Sequence, residues 1–126
     1  MTMPALRGLR GLRGATTCDE DTPEAIAEAV TELMPQLMAR NDLSHDDVVS
    51  VIFTTSPDLT SAFPATAARS IGFGDIPLLC ASEIDVPGSM RKCVRVLMHV
   101  MTTRERARMH HVYLRNAQSL RDDLPE

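Results

Sequence analysis

The stretch from Cys93 to Met101, CVRVLMHVM, alternates without a break. Val94, Val96, Met98 and Val100 fall on one side of an extended chain, and Cys93, Arg95, Leu97 and His99 on the other. This period of two is the signature of a strand with two different faces. It obliges the chain to supply neighbouring strands for the backbone groups and an apolar layer for the valine face. It also poses a problem, because an arginine in mid-strand has to place its charge outside the core. An exposed face or an ion pair would both serve, and Glu83, just past the apolar run IPLLCAS (76–82), is a plausible partner.

The remaining elements read as follows. In DEDTPEAIAEAVTELMPQLMARN (19–41), Thr22 can cap a helix, Pro23 fits its first turn, and Ile26, Val30, Leu33 and Leu37 form an apolar stripe. Pro35 is predicted to kink that helix by removing the hydrogen bond to the carbonyl of Thr31. Ser44 and Asp47 can cap a short turn before VVSVIFTTS (48–56), a strand that reads as buried on both faces. A short helix is expected from Pro64 through Ile71, stopping at Gly72. HHVYL (110–114) sets His111 and Tyr113 together, opposite Val112. Strands alternating with helices over 126 residues predict one domain of mixed α/β type, a mixed sheet packed by helices.

Composition excludes several classes. The net charge of −4 argues against a general affinity for nucleic acid, and the absence of a long apolar run argues against a membrane span. Three cysteines without a CxxC pair suit a reducing compartment, so a small cytoplasmic α/β domain is expected. The opening RGLRGLRGATT has no nearby aromatics, as an RNA-binding Arg-Gly tract would, and lacks the GK[ST] of a phosphate loop. A strand that delivers one arginine remains. His99, His110 and His111 lack the spacing of a metal site, and Cys80 has no base near it in sequence. Several arginines with one carboxylate, and no nucleophile or metal, suit a small polyanion.

RGATT, TSPDLTSAFPATAAR, CASEIDVPGSMRKCVRV, HHVYL and LRDDL follow one another in this order across nearly the whole chain. The ordered set resembles the monofunctional chorismate mutases of the AroH class, the mixed α/β type. The resemblance implies a homotrimer built as a pseudo α/β-barrel, with sites at subunit interfaces. It also implies conversion of chorismate to prephenate without cofactor or metal, in phenylalanine and tyrosine biosynthesis.

By the same resemblance Arg95 bonds the ether oxygen and a carboxylate, Glu83 accepts from the ring hydroxyl, and Arg13 and Tyr113 bind carboxylate. Cys80 is a polar packing contact near the hydroxyl. Phe63, Ala65, Thr66 and Arg69 form a wall and cationic rim lent by a neighbour, Thr66 standing where members often carry lysine. Leu120 and Arg121 belong to a mobile C-terminal segment of about 115–126, in which LRDDL departs from the commoner Leu-Arg-Pro-Asp-Leu. Residues 1–9 are expected to be a flexible extension, with Arg7 and Arg10 solvated. Two alternatives stay open: an imine-deaminase-like trimer, and a trimeric metabolite-binding module without turnover. Glu83, Tyr113 and RGATT together belong to the mutase pattern.

Overall fold

The computed structural model describes residues 6–123, and nothing of the side chains beyond Leu120. The first five residues of the expected N-terminal extension, the side chain of Arg121 and residues 124–126 therefore lie outside the described residues. Five strands form one mixed sheet: β1 (Gly8–Thr17), β2 (Val48–Thr55), β3 (Leu78–Ser82), β4 (Cys93–Thr102) and β5 (Val112–Tyr113). Their spatial order is β3-β2-β4-β1-β5. The alternating strand β4 lies in the middle, antiparallel to both β1 and β2, while β3 and β5 add to the two edges in parallel.

One face of the sheet is closed by helix α1 (Pro23–Arg40) and the short α2 (Pro64–Ala68). Thr22 caps α1 as expected, its hydroxyl accepting from the Ala25 amide at 3.1 Å. The predicted stripe of Ile26, Val30, Leu33 and Leu37 is buried, and Ala29 and Met34 widen it. Opposite it lie Leu12, Phe53, Val94, Met98 and Val100 from the strands. Pro35 does not end the helix, whose last turn runs on to Arg40. Leu33 and Leu37, on either side of that residue, both remain wholly buried and anchor the helix to the sheet.

That anchorage explains one glycine of the opening repeat. A Cβ at Gly14 would stand 3.0 Å from Cδ1 of Leu37 and 3.3 Å from Cδ1 of Leu33, so α1 rests directly on the backbone of β1. The repeat is also more structured than expected. Gly8 and Leu9, assigned to a flexible extension, pair with Thr102 and Met101. Arg10 pairs through its backbone with Val100 and donates from Nε to the Arg104 carbonyl at 3.1 Å. Arg7 makes an ion pair with Asp47 and donates to the Met101 carbonyl at 2.9 Å. A ten-residue antiparallel ladder with β4 satisfies these backbone groups, and that outweighs the freedom of the glycines.

The short helix starts at Pro64 as predicted but ends at Ala68, short of Ile71. A π-type turn (Arg69–Phe73) follows, broken at Gly72, whose φ of 106° few residues with a side chain could adopt. Ser44 and Asp47 form the expected capping box, with the Asp47 carboxylate accepting from the Ser44 amide at 2.8 Å. Strand β2 differs from expectation. Val48, Val51 and Phe53 are buried, but Val49 on the bulge and Ile52 are not, because the chain's helices cover a single face. The uncovered face carries Leu9 (56% exposed), Leu79 (62% exposed) and Leu97.

Because Leu33 and Leu37 leave no room above β1, Gly14→Val should overpack the core and destabilise the fold by about 1–3 kcal/mol. The expected result is a lower midpoint of denaturant unfolding with native-like circular dichroism below it.

Candidate active site

Strand register assembles the site. Arg95 on β4 is opposite Thr54 on β2 and Ala15 on β1, and Ala15 is in turn opposite Tyr113 on β5. Directly paired residues share a face, so Thr54, Arg95, Ala15 and Tyr113 form one row across the uncovered side of the sheet. Adjacent strands lie about 4.8 Å apart, which puts the Arg95 and Tyr113 backbones roughly 10 Å from each other. Between them stands Ala15, a small residue only 1% exposed. Arg13, two residues back along β1, shares this face in the next row, opposite Leu97.

Glu83 completes the row from the end of β3. Its amide donates to the Thr55 carbonyl at 2.8 Å, and its carboxylate accepts from the Thr54 hydroxyl at 3.1 Å. The same Oε1 lies 3.3 Å from Nε of Arg95. The expected partnership of Arg95 and Glu83 is therefore present. Their side chains are 45% and 36% exposed, so as a stabilising pair they are worth little. Beside them is a cleft of about 230 Å³ lined by Ser56, Glu83, Met90, Cys93 and Arg95 among others. Burial pushes the Cys93 thiol above its usual range, against the pull of the adjacent Arg95. It is a packed thiol, not a nucleophile.

The other candidates sit elsewhere in the chain. Cys80 is opposite Phe53 and packs against the core on the helix side. It shares a second cleft, about 380 Å³, with Ala62, Phe63 and Pro64. Phe63 is 69% exposed, and Ala65 is buried in the core cluster. Thr66 and Arg69 are exposed on α2 and the turn after it, with Nη2 of Arg69 3.5 Å from the Thr66 hydroxyl. Leu120 is half-buried in the run of 3₁₀ turns from Arg115 to Asp123. The cleft beside Arg95 and Glu83 is not lined by Phe63, Thr66 or Cys80, which border two other clefts.

Thr54, Ala15 and Cys93 were not singled out by sequence. Only for Cys93 was a signal available, two positions before Arg95 on one strand and hence on the same face. The histidines have structural roles. The His99 ring meets the Ser50 hydroxyl at 3.1 Å. The backbone of His110 is held in both directions by the buried amide of Asn41, at 2.7 and 2.9 Å. His111 accepts through Nδ1 from the Arg13 amide at 2.9 Å, which fixes β5 beside β1.

Two arginines, a tyrosine and a glutamate thus share one face of a sheet backed by helices, on an α+β scaffold. Comparison with known proteins narrows this. The family described as Chorismate mutase type I matches residues 9–124. The chain is 50% identical over 117 residues to Chorismate mutase AroH of Thermus thermophilus, covering 92% of this chain and 96% of that protein. To Chorismate mutase AroH of Bacillus subtilis (strain 168) it is 39% identical over 117 residues, covering 92% of each. A solved chorismate mutase from Clostridium thermocellum superposes with a TM-score of 0.85 at 44% identity, covering 86% of this chain and 97% of that one. The chain belongs to the type I chorismate mutase family. Neither an imine-deaminase-like enzyme nor a non-catalytic module is favoured.

The His111 contact has a consequence for pH. Burial, then the charges of Arg13 and His110, hold its imidazole below the ordinary value of 6.5. A folded-state value below the unfolded one means that the unfolded chain binds more protons, so stability falls as pH drops below about 6.5. Denaturant unfolding at pH 7.5 and 5.5 should show a smaller loss on acidification in His111→Gln than in the parent chain.

Proposed function

We propose that this chain isomerises chorismate to prephenate on the uncovered sheet face, with Arg95, Glu83, Arg13 and Tyr113 as its chemical groups. The observation that carries the reading is the row Thr54–Arg95–Ala15–Tyr113, with Glu83 bonded to its first two members. The proposal extends to a role in phenylalanine and tyrosine biosynthesis in the cytoplasm. The three cysteines are free thiols, as suits a reducing compartment. Among the described residues no helix is long and apolar enough to cross a membrane.

The substrate is a dianion that must fold into a compact chair before its ether C–O bond breaks and a new C–C bond forms in the same step. No proton has to move and no covalent intermediate is needed, so catalysis rests on holding the conformer and on matching the shift of charge. Arg13 and Tyr113 hold carboxylate. Arg95 donates to the ether oxygen as negative charge gathers there, and its fork reaches a carboxylate as well. Glu83 engages one side of the guanidinium at Nε and keeps it oriented. Its remaining acceptor capacity serves the ring hydroxyl and offsets the positive character of the ring.

The active form is a homotrimer with sites shared between chains. Two observations support this. Leu9, Leu79 and Leu97 expose apolar surface on the same face as Arg13 and Arg95, where a second chain would cover it. Phe63, Thr66 and Arg69 belong to the helix layer of their own chain, so they reach such a site only from a neighbour. Covering the face would also dry the Arg95–Glu83 pair and strengthen its hold on a dianion. Thr66 adds no charge to that rim, which leaves Arg69 as its cation. Leu120 and Arg121 help to close the site from the C-terminal segment.

Disappearance of chorismate absorbance with formation of prephenate is the direct test. Arg95→Ala should lower kcat by about 10²–10³ or more, since it removes a donor aimed at developing charge. Arg95→Lys should stay impaired, while Tyr113→Phe should mainly raise KM. An Arg95→Ala enzyme with near-normal kcat would leave that arginine a binding group only.

Assembly is tested separately. Light scattering should give the mass of a trimer, and mixing Arg95→Ala with Arg69→Ala chains should restore activity, because some sites then draw an intact residue from each. A fully active monomer would refute the shared site.

A further inference from the structure

Arg115 stands out among the residues with no part in the chemistry above. It lies between β5 and the 3₁₀ turns that carry Leu120, with φ at 52°. That is the left-handed region, which costs energy for a residue with a side chain. Its guanidinium is held from three elements. Nη2 lies 3.0 Å from Oε1 of Glu28 and 3.2 Å from Oε2 of Glu32. Nε donates to Oε1 of Glu32 at 3.3 Å, and Nη1 donates to the Thr17 carbonyl at 3.4 Å, with Asp19 at 3.8 Å. Glu28 and Glu32 are one turn apart on α1 and would repel each other without a cation between them.

The backbone around it is fastened to the same end of β1. The Leu114 amide donates to the Ala15 carbonyl at 2.9 Å, and the Asn116 amide to the Thr17 hydroxyl at 3.4 Å. Ala117 is wholly buried. Residues 112–117 thus lie along the last residues of β1, with Tyr113 in the site row at one end and the start of the Leu120 segment at the other. Within this strip the Arg115 side chain provides a bond to α1, through Glu28 and Glu32.

We propose that Arg115 is a positioning residue for substrate capture: its clamp on Glu28, Glu32 and Thr17 sets where Tyr113 and the turns that carry Leu120 stand beside the site. The inference rests on the mutase reading. Three carboxylates surround this guanidinium, so it acts through the backbone it holds and not as a charge on the substrate. Tyr113 grips carboxylate alike in the ground and transition states, so loosening it weakens binding and leaves the bond-breaking step to Arg95.

The experiment measures kcat and KM of the full chain with chorismate. Turnover by the parent chain comes first and tests the mutase reading alone. Given that turnover, Arg115→Gln should raise KM roughly tenfold with kcat little changed, and Arg115→Lys should recover part of the loss. Combined with Tyr113→Phe, the KM increases should fall short of multiplying, since both changes act on one contact. If Arg115→Gln does not fold, the double change Glu28→Gln and Glu32→Gln opens the clamp from the helix side and should give the same rise in KM. An unchanged KM in a folded variant, or a loss confined to kcat, overturns the role of Arg115 and leaves the mutase reading standing.

Discussion

The ladder between β1 and β4 is the constraint on which the site depends. It places Ala15 opposite Arg95, while β2 on the other side of β4 places Thr54 opposite the same residue. Side chains alternate along a strand, so a slip of one residue would turn Arg95 into the core and Val94 or Val96 out of it. The cost of burying an unpaired guanidinium and exposing valines is therefore also what holds the Arg95 face in register. Packing reinforces the choice from the opposite side: Leu33 and Leu37 press on Gly14, and only that residue of β1's core-facing row leaves α1 so close.

A sheet covered on one side has an asymmetric economy. The helix face contains the buried valines, leucines and methionines that hold the fold together. The other face mixes exposed leucines with Arg13, Arg95, Glu83 and Tyr113, and among the described residues no helix of the core layer covers it. The apolar members suit contact with another chain, whereas the charged members contribute little stability at their present exposure. The charge distribution follows the same division. The chain is net acidic, with carboxylates along the outer side of α1, yet the uncovered face sets two arginines against one glutamate, as a dianionic substrate requires.

Local patterns were legible from the residues alone. The cap at Thr22, the apolar stripe of α1, the start of the short helix at Pro64 and the two-faced strand from Cys93 all depend on residues a few positions apart, which interact whatever the rest of the chain does. The ordered motifs from RGATT to LRDDL were equally legible, and with them the family and the identity of Arg95 and Glu83 as partners. Pro35 lies inside α1, where one lost local hydrogen bond is small beside the burial of Leu33 and Leu37 around it.

What composition and periodicity could not convey came from pairings between distant parts of the chain. Gly8, Leu9 and Arg10 looked like a tail, and became strand because the end of β4, some ninety positions away, offered them a partner. Thr54 and Ala15 are unremarkable in sequence, and acquire meaning only by standing on either side of Arg95. Cys80 and Glu83 are three residues apart, yet one faces the helix layer while the other bonds Thr54 and Arg95 on the far side. Residue types and their local spacing record which chemistry and which elements a chain can have. The side of the sheet on which each group arrives is set by long-range register and by what packs against it, and these depend on the whole chain at once.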